Sequence, residues 1–512
     1  MNTRMNRLFV LLALLSVSFT VVACGGGGSN PPPPPPPPGK FSNASLTGQY
    51  AFSMTGTETC GGSGSLFTRV GTFTADGNGN ITTGLEDVNV CPGVATLQFT
   101  GGHYSVGGDG RGILQLTNST GTTNYSITLS TTSSGMIIQT DAAATASGSF
   151  QRQTSSAFTN AAITGGYVFD FNGVDVDQNT STANPASYVG RFDADGAGGV
   201  VNGLYDSNIG GTTSDQQSFP SGAFYALDTN GNGTNYGRGT ATIAGRTFAF
   251  YVVDATRLKF IGTDWPSALV GDGYAQQNIV FNTASVNGSF AFLIGGSTNN
   301  GPITTAGRFT ADGAGNISNV FLDENNSGTV TQLPSGTVSG SYTVDANGFG
   351  GGFMTWTDSN VGTFSFVFYL ISPTEAVFQE VDSGIVSDGT FTGQTTTPIT
   401  ATAMAGDYAL LWGGVSQAEE DYVGQLTLTS SGTVTGLVDV NIFATGSQGF
   451  AVPLNGTLTL SGDGTQANTF TATLQGNSSP YQFTAYVVDQ NTVLLVGIDS
   501  DRVIAGTLVR QP

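Results

Sequence analysis

The feature that most constrains this chain of 512 residues is a pattern that recurs four times along it. Each copy opens with a Gly-x-aromatic-x-apolar segment, and 18 to 25 residues later a second segment reads apolar-Gly-x-Phe/Leu. The glycines of this second segment are spaced by 119, 117 and 117 residues, at Gly71, Gly190, Gly307 and Gly424. Collinear motifs at a nearly fixed period indicate a repeated domain, so the chain is predicted to hold four copies of one fold.

A third motif closes the copies. It reads Gly-x-aromatic/apolar-x-x-Gln and ends at Gln153, Gln394 and Gln511. In copy two we align Asp272 with the glycine, ahead of Tyr274 and Gln277. These motifs place the domains at residues 46–153, 163–277, 286–394 and 404–511. The segments between them are short and polar, so we expect the domains to be arranged like beads with limited reach.

Within each copy, runs rich in Val, Ile, Phe, Tyr and Thr alternate with Asp-Gly and Asn-Gly turns, which are strong hairpin signals. In copy three the predicted strands lie near Ser289–Ile294, Ile303–Ala311, Asn316–Leu322, Gly336–Val344, Gly350–Thr357, Gly362–Leu370, Glu375–Val381 and Gly389–Gly393. Pairing the first strand with the last removes both sheet edges. The predicted fold is therefore all-β: four tandem eight-stranded antiparallel up-and-down barrels, with β-sandwiches as the alternative.

An eight-stranded meander that opens in Gly-x-aromatic, with an Ala-Asp-Gly turn after its second strand, resembles the avidin and lipocalin-like barrels. The resemblance concerns architecture alone. The ligand-binding residues of those barrels have no counterparts by motif here, so the resemblance implies no ligand.

The N-terminus has the pattern of a targeting segment. Arg4 and Arg7 precede an apolar run that ends in Val21-Val22-Ala23-Cys24, and the run is too short to span a bilayer as a mature helix. This end of the run resembles the lipobox of bacterial lipoproteins, which implies a signal peptide at 1–23 and a Cys24 carrying diacylglycerol and an N-acyl chain such as palmitate. The alternative is an ordinary secretory signal with a chance cysteine.

The lipoprotein resemblance also implies a location. In that family an Asp after the lipidated cysteine indicates retention in the inner membrane, and here that position is Gly25. The outer membrane or the cell surface is therefore expected. Residues 24–45 are predicted to be the anchor and a spacer, in which eight prolines from Pro31 to Pro38 form a stiff polyproline rod of about 25 Å.

The net charge limits the kinds of binding partner, and the cysteine content predicts a disulfide. The net charge is −21, and removal of Arg4 and Arg7 with the signal makes it −23, which excludes nucleic acid as a partner because phosphate contacts need clustered Lys and Arg. With Cys24 lipidated, Cys60 and Cys91 remain as an even pair in an oxidising compartment. They are predicted to form a disulfide.

Two sets of polar residues recur where strands end. One set follows strand three, and the other follows strand seven. They are Asp87, Asn89, Asp206, Asn208, Asp323, Asn325, Asp439 and Asn441 in the first set, and Asp141, Asp264, Asp382 and Asp499 in the second. Because Asp and Asn are depleted in strands, their recurrence at these positions needs an explanation. They either accept backbone N–H groups and fix barrel closure, or form a polar cluster at one barrel mouth that binds a cation or a sugar.

Other chemistry is poorly supported. The segment from Asp76 to Asn80 lacks the ligand spacing and flanking helices of a helix-flanked calcium loop, and His103 is the single histidine, on a strand without a Gly-x-Ser-x-Gly elbow. Paired carboxylates could serve glycoside hydrolysis, but four near-equal copies argue against an enzyme. Neither a cofactor nor a metal site is predicted.

The predicted function is a non-enzymatic lipoprotein of the cell envelope that presents four β-domains to an unknown extracellular or periplasmic partner, for adhesion or matrix interaction. The first alternative is a carrier that binds a small ligand or sugar inside the barrels. A carbohydrate-active enzyme is the weaker alternative.

Overall fold

In the computed structural model, the structure describes residues 39–177, 179–228, 235–334, 336–443, 447–477 and 479–512. Over these ranges the chain is almost entirely β-strand and forms four antiparallel sheets, one for each sequence copy. We call the corresponding parts of the chain repeats 1 to 4. The predicted signal peptide, Cys24 and the proline run lie outside the described residues.

Repeat 1 is a closed antiparallel barrel. It consists of β1 (Thr47–Cys60), β2 (Ser63–Asp76), β3 (Asn80–Val90), β4 (Gly93–Phe99), β5 (Gly101–Val106), β6 (Arg111–Asn118), β7 (Gly121–Leu129), β8 (Ser134–Gln139) and β9 (Ala144–Arg152). β4 and β5 both pair with β3, and the other consecutive strands pair with each other. β1 also pairs with β9, which confirms the predicted closure of the first strand on the last.

Repeat 2 is a curled half-barrel with the same strand order. It consists of β10 (Thr164–Asp177), β11 (Thr182–Asp195), β12 (Val200–Ile209), β13 (Thr212–Ser218), β14 (Phe224–Leu227), β15 (Arg238–Ile243), β16 (Arg246–Asp254), β17 (Arg257–Gly262) and β18 (Ala268–Ala275). Beside the unpaired ends of its sheet, an isolated bridge joins Gly199 to Phe224.

Repeat 3 is again a closed barrel. It consists of β19 (Asn287–Thr298), β20 (Gly301–Asp312), β21 (Asn316–Asn326), β22 (Thr329–Leu333), β23 (Val338–Val344), β24 (Gly351–Asp358), β25 (Gly362–Ser372), β26 (Glu375–Glu380) and β27 (Ile385–Gly393). The turn between β23 and β24 lies where the Asp345-Ala346-Asn347-Gly348 sequence predicted it.

Repeat 4 is a barrel of eight unbroken strands preceded by one helical turn, α1 (Ala401–Met404). Its strands are β28 (Gly406–Val415), β29 (Glu419–Leu428), β30 (Thr433–Ile442), β31 (Ser447–Thr459), β32 (Ala467–Leu474), β33 (Tyr481–Asp489), β34 (Thr492–Gly497) and β35 (Val503–Arg510). Here the fourth strand, β31, is continuous.

In repeats 1 to 3 the fourth strand is split in two, as β4 and β5, β13 and β14, and β22 and β23. The sequence predicted a single strand in copy three, near Gly336–Val344, so this expectation was wrong there. Pro220 and Pro334 lie in the breaks of repeats 2 and 3. Proline has no N–H group to donate to the strand ladder, but the break of repeat 1 lies at Thr100 and β31 continues through Pro453, so proline alone does not set the break.

The closing motif of copy two is shifted by one residue from its predicted alignment. Phe150, Phe391 and Leu508 pair with the second conserved apolar residue of the first strand, and the residue in that place in repeat 2 is Gly273. The equivalent residues are therefore Gly271, Gly273 and Gln276. Asp272, Tyr274 and Gln277 were assigned wrongly because they imitate the spacing.

The interiors of the repeats are filled by side chains. In repeat 3 the rings of Phe292 and Phe309 pack against Trp356, and Phe292 also packs against Phe378. The ring centroids of Phe292 and Trp356 are 4.9 Å apart. Equivalent buried clusters occupy the other three repeats. Burial of these aromatic side chains is the main source of stability for each repeat.

The four repeats pack side by side and close into a ring. The outer surface of the first strands of each repeat contacts the last strands of the next, and the first strands of repeat 4 contact the last strands of repeat 1. An apolar cluster lies at each of these four joints, for example Ala409, Leu411 and Val423 of repeat 4 against Met136 and Ile138 of repeat 1. The expectation of separate beads was wrong, because the domains also bury their outer surfaces against one another.

The ring has two distinct faces. One carries the linkers and turns such as 77–79 and 107–110, and we call it the linker face; the other carries turns such as 61–62 and 119–120, and we call it the hairpin face. Like ends lie together: Gln153 at the linker face of repeat 1 contacts Tyr236 at the linker face of repeat 2, and Asn89 at the hairpin face contacts Gly262. The barrels therefore share one orientation around the ring.

Candidate functional site

The asparagines of the Asp-x-Asn motif join each repeat to the next at the hairpin face. The Asn89 side chain donates to the carbonyls of Gly262 and Ser267 in repeat 2 at 3.0 and 2.8 Å. Asn208 does the same with Glu380 and Ile385 in repeat 3 at 3.0 and 2.7 Å. All four asparagines are buried, so each amide replaces water for carbonyl groups that the joint covers.

Two of these joints are bound by three contacts each. Asn325 donates to the carbonyls of Gly497, Asp499 and Arg502 in repeat 4, all at 2.9 Å. Asn441 donates to the carbonyls of Gln139, Asp141 and Ala144 in repeat 1, at 2.9, 3.2 and 2.9 Å. The contacts of Asn441 close the ring, because they join residues about 300 positions apart in the sequence.

The aspartates of the motif are held by side chains of the next repeat. Tyr251 donates its hydroxyl to Asp87 at 2.7 Å, Tyr369 donates to Asp206 at 2.5 Å, and Tyr486 donates to Asp323. Burial raises the pKa of Tyr251 and Tyr486 well above the ordinary value, so both remain hydroxyl donors. Asp439 instead faces Arg111 of repeat 1, at 3.6 Å.

The glutamines of the closing motif make equivalent hydrogen bonds across the joints at the linker face. Gln153 donates to the carbonyls of Tyr236 and Val252 in repeat 2 at 3.1 and 2.7 Å. Gln511 donates to the carbonyls of Asp109 and Leu129 in repeat 1 at 3.0 and 2.7 Å. Gln276 and Gln394 repeat this pattern in the other two joints. Every joint is thus held by an amide side chain at both faces.

The recurring aspartates after strand seven act within their own repeats. Asp264, Asp382 and Asp499 accept the backbone N–H groups of Thr247, Ser365 and Gln482 at 2.8, 2.9 and 3.0 Å. Asp141 accepts the Asn124 side chain at 2.8 Å. The two recurring sets do meet, but across the joints, because the asparagines reach the turns that hold these aspartates in the next repeat.

The turns at the hairpin face approach one another closely. A Cβ atom on Gly328 would lie 2.3 Å from the carbonyl oxygen of Ser500 in repeat 4, and the backbone φ of Gly328 is +90°. Only glycine combines this conformation with so near a neighbour. The glycine is therefore part of the joint between repeats 3 and 4.

Several carboxyl groups are buried at the joints. Asp388 of repeat 3 lies 3.2 Å from the Asn172 amide of repeat 2, and burial raises the pKa of Asp388 to about 7. Asp421 of repeat 4 accepts the Thr145 hydroxyl of repeat 1 at 2.8 Å, and burial raises the pKa of Asp421 to about 7. These groups make the joints sensitive to pH.

Repeat 1 carries the predicted disulfide. Cys60 and Cys91 are bonded, with Cα atoms 5.9 Å apart, which confirms the prediction. Cys60 ends β1 and Cys91 follows β3, so the bond fastens the first hairpin of the ring to its neighbour strand at the hairpin face.

Neither a membrane-spanning helix nor a metal site is present in the described ranges. No helix in them is long and apolar enough to cross a membrane. No group of three or more His, Cys, Asp or Glu side chains in the same ranges is arranged to hold a metal ion. Binding of a cation or sugar by the recurring Asp and Asn residues stays a prediction.

The tyrosines and glutamines of the joints were missed as functional residues, although the sequence carried a signal. Strand β16 of repeat 2 reads Phe248-Ala-Phe-Tyr-Val-Val, without polar alternation. Phe248 and Phe250 fill the interior, whereas Ala249 and Tyr251 form the joint. A strand that is apolar on both faces is covered on both faces, and this points to a neighbour outside the barrel.

Comparison with known proteins gives little further information. No protein-family model matches the chain, and no curated protein sequence matches it. Among solved structures, transferrin binding protein B from Haemophilus parasuis Hp5, as a double mutant, has 10% identity and a TM-score of 0.18, covering 74% of this chain and 83% of that one. Intact Ap-TbpB, with its N and C lobes, has the same identity and TM-score, covering 74% and 84%. At this TM-score the likeness supports no conclusion about fold or function.

Proposed function

We propose that the protein is a lipid-anchored, non-enzymatic protein of the cell envelope, whose ring of four repeats presents its hairpin face for adhesion or matrix interaction. The observation that carries the proposal is the position of the N-terminal segment. The Lys40 amide donates to the carbonyl of Gly108 at 2.8 Å, and the Lys40 ammonium lies 3.2 Å from Asp407. Both partners lie at the linker face, so an anchor on the N-terminal side of Lys40 would hold this face towards the membrane and direct the hairpin face away from it.

The closed ring supports a binding role for this distal face. Separate beads on a chain would each orient freely, whereas joints at both faces hold four sets of turns in fixed relative positions. Binding surfaces are commonly formed by loops that a rigid scaffold positions. The filled interiors do not favour a ligand inside the barrels, so we place the interaction on the ring surface.

Lipidation is tested first. Cys24→Ala is expected to abolish incorporation of labelled palmitate and to release the protein from the membrane fraction. The matched control is a chain with Cys60→Ala and Cys91→Ala, which is expected to keep the label. Label that persists in Cys24→Ala would refute the anchor.

Orientation is tested with single introduced cysteines on intact cells. Asn78 is exposed on the linker face and Ser119 on the hairpin face. A bulky, impermeant maleimide is expected to label Ser119→Cys faster than Asn78→Cys on the cells, and this difference should vanish when the same variants are labelled in the released Cys24→Ala protein. Faster labelling of Asn78→Cys would mean that the ring is held the other way round.

A further inference from the structure

A cleft of about 810 Å³ opens between three of the repeats at the hairpin face. It is bounded by the β1–β2 turn of repeat 1, the turns around Asn300 and Ser327 of repeat 3, and the turns 415–419 and 500–503 of repeat 4. Repeats 1 and 3 are not neighbours in the ring. A cleft that touches both therefore lies at the ring centre, and its volume is within the range of small-molecule sites.

The lining is rich in hydroxyl and amide groups. The exposed ones belong to Thr59, Asn300, Ser327, Ser416 and Gln417. One half-buried aromatic ring, that of Phe443, joins them. Such a lining offers hydrogen-bond donors and acceptors in many directions, together with one apolar surface.

Two buried polar groups lie together at the edge of the lining, the Thr57 hydroxyl of repeat 1 and the Glu419 carboxyl of repeat 4. The Thr57 hydroxyl interacts with the carboxyl, which is 1% exposed. Burial, together with the neighbouring Asp421, raises the pKa of Glu419 well above its ordinary value.

The remaining charges in the lining neutralise each other. The Arg502 guanidinium lies 3.0 Å from Asp501 and 4.3 Å from the centre of the Tyr481 ring. It is therefore already engaged, which disfavours an anionic ligand. The lining consists of turns and strand ends, so it offers no strand edge along which a peptide could add a β-strand.

We propose that this central cleft binds a short, neutral, polyhydroxylated ligand, namely an oligosaccharide of a few sugar units. Hydroxyl groups of the sugar match the exposed hydroxyl and amide groups of the lining. The ring of Phe443 offers an apolar surface for the sugar C–H groups. The proposal deepens the proposed function and rests on it only in taking the hairpin face as the binding face.

The test is calorimetric titration of the detergent-solubilised full chain with neutral trisaccharides: maltotriose, cellotriose and triacetylchitotriose. At least one of them is expected to bind. Gln417→Ala is expected to weaken that binding about tenfold, the scale of one lost hydrogen bond. Ser416→Trp, which fills the cleft, is expected to abolish it. Both residues are exposed on a turn, so the variants should fold.

The matched control is Gln217→Ala, which removes an exposed amide from β13, outside the cleft lining. It is expected to bind as the unmodified chain does. Failure of all three trisaccharides, binding that survives Ser416→Trp, or binding of the anionic trigalacturonate alone would each overturn the proposal. None of these results would alter the labelling experiments on the anchor and its orientation, so the two proposals fail separately.

Discussion

Three of the ring joints connect repeats that a linker also connects, whereas the joint between repeats 4 and 1 is held by noncovalent contacts alone. We call these the tethered joints and the closing joint. In the tethered joints the aspartates receive a tyrosine hydroxyl. In the closing joint the equivalent strand position is Thr128, and Asp439 faces Arg111 at 3.6 Å.

The comparison of the four joints shows which contacts are common to all of them and which vary. The asparagine and glutamine contacts to backbone carbonyls occur in all four joints. The partner of the aspartate differs between joints. In the first joint both a tyrosine and Arg238, at 2.7 Å, contact Asp87. In the next two joints a tyrosine alone comes from the next repeat, and in the last joint an arginine does. Backbone carbonyls cannot be changed by mutation, so the amides that satisfy them are retained while the aspartate partner varies.

The largest expected effect is on the buried aspartates at the joints. Their pKa values of about 7 lie above the ordinary value of 3.8. Stability from each group is therefore complete below about pH 4 and is lost as the pH rises through about 7. Asp421→Asn in the closing joint and Asp388→Asn in a tethered joint should each raise the free energy of unfolding at pH 8, on the order of 4 kcal/mol.

Denaturant unfolding at pH 4 and pH 8 checks this effect. At pH 4 both variants should match the unmodified chain. At pH 8 the unmodified ring should open first at the closing joint, which Asp421→Asn alone should prevent. Stability that rises with pH through this window would contradict the burial of these carboxyl groups.

Removal of the joint asparagines should give the next largest effect. Asn441→Ala and Asn208→Ala each leave buried carbonyls without donors, at a cost of about 2–3 kcal/mol. Only Asn441→Ala should increase the radius of gyration in small-angle X-ray scattering, because repeats 2 and 3 stay linked. Equal expansion of both variants would mean that the closing joint is no different from the others.

The aspartate partners should matter less. Tyr486→Phe removes the hydroxyl donor of Asp323 and should cost about 1–2 kcal/mol of unfolding free energy. Thr128→Tyr places the missing tyrosine in the closing joint, where Asp439 can accept it, and should stabilise the ring by about 1 kcal/mol. The gain should disappear when Asp439 is replaced by Ala, which a double-mutant cycle measures.

The smallest expected effect is that of salt. The Arg111–Asp439 ion pair is partly exposed at Arg111, so added salt should weaken the closing joint by about 0.5 kcal/mol. The tyrosine hydroxyl of the joint between repeats 3 and 4 carries no charge. Arg111→Gln should therefore remove the salt dependence, whereas Tyr486→Phe should leave it unchanged.

The sequence predicted the repeats well because their signals are local. Turns such as Asp345–Gly348, the pairing of the first strand with the last, and the Cys60–Cys91 bond all follow from spacing within one copy. The split fourth strand was missed because its two pieces, β22 and β23 in repeat 3, pair with different parts of β21, and spacing along one copy does not give that pairing. The register error in copy two arose because Asp272 and Tyr274 imitate the motif one residue away.

The packing of the four repeats into a ring could not be predicted from the spacing of motifs along the sequence. Asn89 and its acceptor Gly262 are 173 positions apart, and nothing local ties an amide to a carbonyl in another domain. The recurrence of Asp-x-Asn in all four copies did mark the residues, but it did not say that their partners belong to the next repeat. The central cleft was hidden for the same reason, since three repeats must assemble before it exists.

Closure of the ring is tested most directly by zero-length carbodiimide cross-linking of the full chain. Lys40 lies 3.2 Å from Asp407, and the other lysine of the chain, Lys259, is fully buried. Mass spectrometry of the monomer should find a Lys40–Asp407 cross-link joining repeat 4 to the entrance of repeat 1, and Lys40→Arg should abolish it. A cross-link found only between two molecules, or absent altogether, would contradict a closed ring.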